Sequence, residues 1–149
     1  MIRMKYLITV LFVASASFSY AADITPSSSG PAWQGEAQKE IKEKNYDGAI
    51  KTLLAANEPN SADWNNLLGF AQRKKFPPNL NAAEFYYQVA LKIDPKHKGA
   101  LEYYGELLLM KNNLPGAEQM LARLDKVCFF SCEEYRDLKE EIAKYKAKK

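Results

Sequence analysis

Two cysteines and a single histidine are the residues of this chain whose types and spacing could support covalent or metal chemistry. Cys128 and Cys132 are separated by three residues, and cysteines this close usually form a disulfide in an oxidising compartment. The sequence therefore predicts a structural bridge. A redox-active pair is the alternative, although the motif that recurs in oxidoreductases is CxxC rather than CxxxC. His97 has no neighbouring cysteine or second histidine, so we predict no metal site and no Ser-His or Cys-His catalytic arrangement.

Other patterns typical of enzymes or nucleotide-binding proteins are missing from the sequence. Adjacent carboxylates occur in Glu133-Glu134 and Glu140-Glu141, but neighbouring residues of a helix point in different directions, so solvated helix faces explain them better. The chain has 7 glycines and contains no GxGxxG, GxxxxGKS or GxxxxGKT string, which argues against a phosphate-binding loop. We therefore predict a protein that is not an enzyme and binds no cofactor.

The charge of the chain gives little support to nucleic-acid binding. The formal net charge is +3, from 21 lysines and arginines and 18 acidic residues. Arg3 and Lys5 belong to a leader that we expect to be removed, which leaves the rest of the chain close to neutral. A balanced chain lacks the basic surface typical of nucleic-acid-binding proteins, so we predict no nucleic-acid partner.

The first residues have the layout of a secretory signal peptide. The basic residues Arg3 and Lys5 precede a short apolar run, and small residues lead to a cleavage site that we place after Ala21. A membrane-spanning helix needs about 20 predominantly apolar residues, and this run is shorter. We expect residues 1–21 to be a signal peptide and residues 22–31 to be a flexible linker. The mature protein is expected to be periplasmic or secreted, without stable membrane insertion after cleavage.

Beyond the linker, the sequence has the periodicity of α-helices. Apolar residues recur three and four positions apart, short polar breaks separate the segments, and no useful length of alternating β-type pattern occurs. The segment Pro59-Asn60-Ser61 is predicted to end one helix and cap the next, and capping boxes are predicted for Asn81 with Glu84 and for Ser131 with Glu134. These signals predict helices at about 32–44, 47–57, 62–75, 81–93, 98–111, 115–127 and 132–146.

The predicted helices contain an internal repeat marked by small residues. Gly69 and Ala83 in one helix pair correspond to Gly105 and Ala117 in the next pair, and the first pair has alanines at the equivalent places. Glycine or alanine at these positions allows the two helices of a hairpin to pack closely. An Asp-Pro pair at 94–95 ends one of the repeats, because the residue before proline disfavours the α conformation.

This pattern resembles the tetratricopeptide repeat, a helix hairpin with a period of about 34 residues. The matching residues are Leu68-Gly69, Ala83, Tyr87, Ala90 and Asp94-Pro95 in the second repeat, and Tyr104-Gly105, Leu108, Ala117 and Leu121 in the third. The tail that contains the two cysteines, Glu133, Glu134 and Tyr135 is similar to that of small exported proteobacterial members. The resemblance implies an all-α, antiparallel array of helix hairpins wound into a superhelix. Its domain covers residues 32–146, with repeats at about 30–61, 62–97 and 98–130 and a capping helix at 131–146.

The resemblance also implies a function, since the concave face of such a superhelix binds peptides or protein segments. We therefore expect an exported scaffold or adaptor whose partner is a protein or peptide segment. The register of the family places the partner-binding residues on the first helix of each hairpin: Gln34, Gln38, Ile41 and Lys42; Asn66, Phe70, Arg73 and Lys74; and Glu102, Glu106, Leu109 and Met110.

Two alternatives remain open. Phe70 and Leu109 have a second interpretation, in which they complete the core between repeats instead of contacting a ligand. For the whole protein, the alternative function is that of an envelope thiol-disulfide or assembly accessory factor that uses Cys128 and Cys132.

Overall fold

The computed structural model of the chain describes residues 30–148. The predicted signal peptide and nearly all of the predicted linker lie outside these residues. Within them, the chain forms seven α-helices and no β-strand, and each helix begins and ends within two residues of its predicted bounds. The helices are α1 (Ala32–Lys42), α2 (Tyr46–Ala56), α3 (Ala62–Lys74), α4 (Leu80–Ile93), α5 (Lys98–Met110), α6 (Leu114–Val127) and α7 (Glu133–Ala147). None of these described helices has the length and apolar character needed to cross a membrane.

Side-chain caps explain where most of the helices begin. Asn45, Ser61, Asn79 and Asn113 each accept a hydrogen bond, at 3.0–3.3 Å, from the backbone N–H three residues later. These bonds satisfy donors that the first turn of a helix otherwise leaves without a partner. The cap predicted for the segment Pro59-Asn60-Ser61 is therefore confirmed, and Ser61 is the residue that provides it.

The two predicted capping boxes are wrong. Asn79 rather than Asn81 caps α4, and Asn81 lies inside the first turn of that helix. Cys132 is the N-cap residue of α7 and makes no side-chain capping bond. Ser131 has a φ angle of 46°, in the left-handed region, because it forms part of the tight turn between α6 and α7. A residue used for the turn in this way is not in the extended conformation that a cap requires.

The hairpins stack so that the odd-numbered helices share one side. Helix α1 pairs with α2, α3 with α4, and α5 with α6, while α7 packs against both α5 and α6. Successive odd helices contact one another, whereas within residues 30–148 the even helices α2, α4 and α6 do not approach one another closely. The stack is therefore curved, and α1, α3, α5 and α7 form its concave face.

Small residues allow the helices to approach closely, as the sequence predicts. The alanines at the predicted hairpin contacts are all fully buried: Ala37, Ala49, Ala83 and Ala117. A Cβ atom on Gly69 would lie 2.7 Å from the ring of Tyr87 in the partner helix α4. Gly105 differs from the prediction, because a Cβ atom there would lie 2.6 Å from Leu138 of α7 rather than against its own hairpin partner. Helix α7 therefore continues the stack of hairpins as a packed helix.

The core consists of separate clusters along the stack. The N-terminal cluster joins α1, α2 and α3 and contains Ala37, Leu53, Trp64 and Leu68. The largest cluster joins α4, α5, α6 and α7, and the contribution of α7 to it is Leu138 and Ile142. A small cluster around Tyr87 and Leu107 belongs to α4 and α5. Each cluster is thus built from helices that are neighbours in sequence.

The cysteine pair lies at the junction of α6 and α7. The Sγ atoms of Cys128 and Cys132 are at bonding distance. Cys128 immediately follows α6, and Cys132 immediately precedes α7. Phe129 and Phe130, between the two cysteines, are 96% and 95% exposed. A bridge at this position fixes where α7 begins relative to the end of α6.

Replacing both cysteines with serine is expected to lower the free energy of unfolding by about 1–2 kcal/mol. The effect is modest because a bridge that closes so short a loop restricts the unfolded chain only a little. Urea denaturation of the oxidised protein and of the variant measures the difference, and partner binding should be unchanged. A variant that keeps wild-type stability and loses binding would contradict a purely structural bridge.

Candidate functional site

The residues predicted to bind a partner lie on neighbouring helices of the concave face. Helix α3 carries Asn66, Phe70, Arg73 and Lys74, and α5 carries Glu102, Glu106, Leu109 and Met110. Since α3 and α5 contact each other directly, the structure brings these two sets together. The set predicted on α1 lies on the far side of α3, at the N-terminal end of the face.

An ion pair links α3 to α5 within this surface. Nη1 of Arg73 lies 2.6 Å from Oε2 of Glu106, and the two side chains are only 6% and 22% exposed. Burial alone would lower the pKa of Arg73, but Tyr87 and Glu106 outweigh this effect, so the pKa lies above its ordinary value. Arg73 is therefore a structural link between two repeats, and little of its surface remains for a ligand.

Aromatic rings surround the guanidinium group of Arg73. The ring centroids of Phe70 and Tyr103 are 4.8 Å apart. The guanidinium carbon lies 5.5 Å from the Phe70 centroid and 5.7 Å from the Tyr103 centroid, within the range of cation–π attraction. Tyr46 meets the Phe70 ring edge-on, and Nζ of Lys74 lies 5.7 Å from that ring. Phe70 thus packs between repeats while remaining half-buried at the concave face.

A cleft of about 460 Å³ opens between α3, α5 and α7. Its lining residues are Arg73, Lys74, Glu106, Leu109, Met110, Glu141, Lys144, Tyr145 and Lys148. Met110 is 49% exposed and is the main apolar side chain that a ligand can reach. Leu109 is 8% exposed and belongs to the largest core cluster. Most of its side chain therefore packs in the core, as the second interpretation predicts.

Helix α7 forms a wall of the cleft that is not among the site residues predicted from the sequence. Glu141, Lys144, Tyr145 and Lys148 are spaced three and four positions apart and therefore share one side of the helix. From the sequence, the last helix is predicted only as a cap on the last repeat. Aligning α7 with α1, α3 and α5 as another first helix of a hairpin would have found these residues.

Glu102 is a nearly enclosed carboxyl group on the concave face. The residue is 7% exposed, and no described residue forms a hydrogen bond or ion pair with its carboxylate. Burial raises the pKa of this carboxyl to about 8, and the negative charges of Glu106, Asp137 and Glu134 act in the same direction. Arg73 opposes the shift but is the weakest of these influences. At neutral pH, Glu102 is therefore mostly protonated.

The raised pKa of Glu102 predicts that stability falls as the pH rises. Its carboxyl titrates near 4.5 when unperturbed and near 8 in the folded protein, so folding takes up a proton between these values. The contribution of protonated Glu102 to the free energy of unfolding is fully present below pH 4.5 and is lost as the pH rises through about 8. A Glu102→Gln variant should therefore be more stable than the wild type at alkaline pH, by about 1–2 kcal/mol after allowance for solvent screening.

Urea denaturation at several pH values measures this difference. Glu58→Gln is a suitable control because Glu58 is exposed on the loop before α3 and should leave the pH profile unchanged. Parallel pH profiles for the wild type and Glu102→Gln would contradict the prediction.

The single histidine holds two helices together. Nδ1 of His97 accepts a hydrogen bond of 3.1 Å from the backbone N–H of Ala100 and so caps α5. This leaves Nε2 to donate its hydrogen to Oδ1 of Asp63 in α3, at 2.9 Å. Across residues 30–148, no group of three or more His, Cys, Asp or Glu side chains is arranged to hold a metal ion. What the concave face offers is a binding surface of apolar, aromatic and charged side chains.

Comparisons with known proteins agree with this architecture. Residues 79–142 match the family model of the tetratricopeptide repeat. The fold is similar to that of the type III secretion translocator chaperone SycD of Yersinia enterocolitica, with a TM-score of 0.67, 18% sequence identity, and coverage of 78% of this chain and 82% of that chain. It is also similar to SycD in complex with a peptide of the translocator YopD, with a TM-score of 0.63, 18% identity, and coverage of 78% and 91%. No curated protein sequence matches the chain significantly.

Proposed function

Because this chain is a tetratricopeptide repeat protein, we propose that it is an exported, non-enzymatic scaffold that binds a segment of another protein on its concave face. The observation that carries the proposal is the cleft between α3, α5 and α7, where Met110 and Leu109 lie between charged side chains. A surface of this composition suits an amphipathic segment, whose apolar side chains provide most of the binding energy. The similar chaperone SycD in complex with a peptide of YopD supports a peptide-like ligand.

The proposed location is the periplasm or the outside of the cell. The leader with Arg3 and Lys5 supports export, and a cysteine pair at bonding distance is typical of an oxidising compartment. After cleavage of the leader, the protein acts without stable insertion into a membrane. Its partner is then another envelope or secreted protein.

Substitutions of exposed residues in the cleft test the proposed function. The mature chain is used as bait to capture its partner from an envelope extract, and affinities for that partner are then titrated. Met110→Ser and Lys74→Glu are expected to weaken binding by at least about 1 kcal/mol each, or about fivefold in affinity.

Matched controls are available on the even helices, away from the concave face. Leu54 of α2 is 51% exposed, close to the 49% of Met110, so Leu54→Ser removes a similar apolar surface. Lys92 lies in the last turn of α4, as Lys74 does in α3, so Lys92→Glu is the charge-reversal control. If the cleft variants bind like the controls, the concave cleft is not the binding site.

A second candidate function uses the cysteine pair. Phe129 and Phe130 are almost fully exposed beside the bridge, so a partner protein could dock there while the bridge exchanges with its thiols. Thiol titration under mild reducing conditions separates the two functions. A bridge that resists reduction favours the scaffold, and rapid exchange favours an accessory factor in thiol-disulfide chemistry or envelope assembly.

A further inference from the structure

Glu102 is enclosed among charges that leave it without a counterion. The negative charges that act on it are those of Glu106 on its own helix and of Asp137 and Glu134 on α7. The positive group that acts on it is Arg73 of α3, which pairs with Glu106 instead, at 2.6 Å. A carboxyl group that is both buried and unpaired is costly in a protein without a ligand.

A second enclosed acceptor lies beside the same side of α5. Oδ1 of Asn66 is buried and has no hydrogen-bond partner among residues 30–148, and the whole residue is 7% exposed. The Nδ2 atom of Asn66 lies 3.2 Å from the position that a Cβ atom on Gly99 would take. Gly99 precedes Glu102 by one helical turn, so both residues face the same side of α5. Oδ1 of Asn66 is therefore a fully enclosed acceptor without a donor, which is uncommon for a buried polar group, and the little-exposed Glu102 carboxyl on the same side of α5 also has no hydrogen-bond partner among residues 30–148.

We propose that Asn66 and Glu102 form a pocket for the lysine or arginine side chain of the bound segment. This inference rests on the proposed function and specifies the chemistry of its ligand. An ammonium or guanidinium group brings several N–H donors and the positive charge that the surrounding carboxylates lack. The pocket and the cleft then bind different residues of one ligand: a basic residue at Glu102 and an apolar residue at Met110.

The helix geometry sets the spacing between these two ligand residues. Glu102 and Met110 are separated by eight positions of α5, or about 12 Å at 1.5 Å per residue. An extended peptide covers this distance in roughly three to four residues, at about 3.3 Å each. The preferred ligand therefore carries Lys or Arg three to four positions from a large apolar side chain.

Selection of randomised peptides displayed on phage, with the folded mature chain as target, tests the pocket. The enriched peptides are expected to share a Lys or Arg at that spacing from an apolar residue. In one enriched synthetic peptide, Lys→Met should reduce the affinity at least tenfold, and Glu102→Gln in the protein should do the same. The two changes together should cost little more than either one alone. Glu58→Gln, on the exposed loop before α3, is the control and should bind like the wild type.

Proton release distinguishes direct recognition by Glu102 from a structural role. Since the pKa of Glu102 lies near 8, the carboxyl is mostly protonated at pH 7 and must ionise to bind a cation. Calorimetry in buffers of different ionisation enthalpy should detect release of about one proton per peptide bound, and none with Glu102→Gln or with the Lys→Met peptide.

The outcomes also separate this inference from the proposed function. Enriched peptides without a shared basic residue, or binding that is insensitive to both substitutions, would overturn the pocket and leave the scaffold function in place. A selection that enriches no peptide would contradict both. The Lys→Met peptide is tested on the unaltered protein, so the conclusion does not depend on the folding of a variant.

Discussion

An Arg73→Glu substitution is expected to lower the free energy of unfolding by about 3–5 kcal/mol, because it breaks a buried ion pair and leaves like charges in contact. Arg73 is 6% exposed and pairs with Glu106 at 2.6 Å. A glutamate at position 73 would place a second carboxylate against Glu106 and remove the guanidinium from between Phe70 and Tyr103. Chemical denaturation followed by circular dichroism measures the loss.

The next residue along the helix provides the control. Lys74 is exposed, so Lys74→Glu should change stability by no more than about 0.5 kcal/mol. Replacing the pair by apolar residues, with Arg73→Met and Glu106→Leu, should recover most of the stability lost in Arg73→Glu. Native stability in the Arg73→Glu variant would show that the ion pair does not hold α3 and α5 together. The sequence predicts Arg73 as a partner-binding residue, but because its side chain is buried in an ion pair, the exposed Lys74 is the better probe of ligand binding.

A Leu138→Ala substitution is expected to destabilise the protein by about 2–5 kcal/mol, the range for deleting a fully buried leucine side chain. Leu138 is 0% exposed and fills the space above Gly105. Its loss weakens the contact of α7 with α5, so the wall of the cleft formed by α7 should loosen as well. Hydrogen exchange should therefore show lower protection of α7 amides together with weaker binding of the partner.

A second substitution tests whether the contact with Gly105 is responsible. Gly105→Ala alone should destabilise, because the new Cβ atom would approach Leu138 to 2.6 Å. In the Leu138→Ala background the same change should stabilise, since the methyl group fills part of the cavity and alanine favours the helix. Arg136→Ala, at an exposed position of α7, is the surface control. Additive effects of the Gly105 and Leu138 substitutions would show that the two residues do not act on each other.

The sequence predicts the helices of this protein more accurately than the contacts between them. Apolar spacing and the small residues at hairpin contacts locate every described helix, because these features act within one helix or one hairpin. The capping boxes failed because Asn79 and Cys132 occupy the cap positions, a matter of one or two residues that the pattern does not resolve. Local signals therefore determine where helices lie to within about one turn.

The candidate site depends on packing between repeats, and the spacing of apolar and small residues in the sequence does not predict that packing. The family register predicts Arg73 and Leu109 as partner-binding residues, whereas their burial follows from packing against neighbouring helices. Lys144 and Tyr145 line the cleft only because α7 packs against α5. The sequence predicts α7 as no more than a capping helix. Burial is the largest cause of the raised pKa of Glu102, and Asp137 and Glu134 of α7 add to it, so this property also depends on how the helices pack.

Because the core is divided into clusters, unfolding of the two ends of the stack has different effects on the cleft. Within residues 30–148, contacts run only between helices that are one or two places apart in the chain, so this array approaches a one-dimensional chain of coupled units in which fraying starts from an end. Opening of α1 and α2 disrupts the cluster around Trp64 and leaves the surfaces of α3, α5 and α7 in place. Opening of α7 removes Leu138 and Ile142 from the largest cluster and takes away one wall of the cleft. If the proposed ligand binds in the cleft, thermal fluctuation at the N-terminal end would leave its site in place, whereas opening at the C-terminal end would remove part of that site and favour release of the ligand.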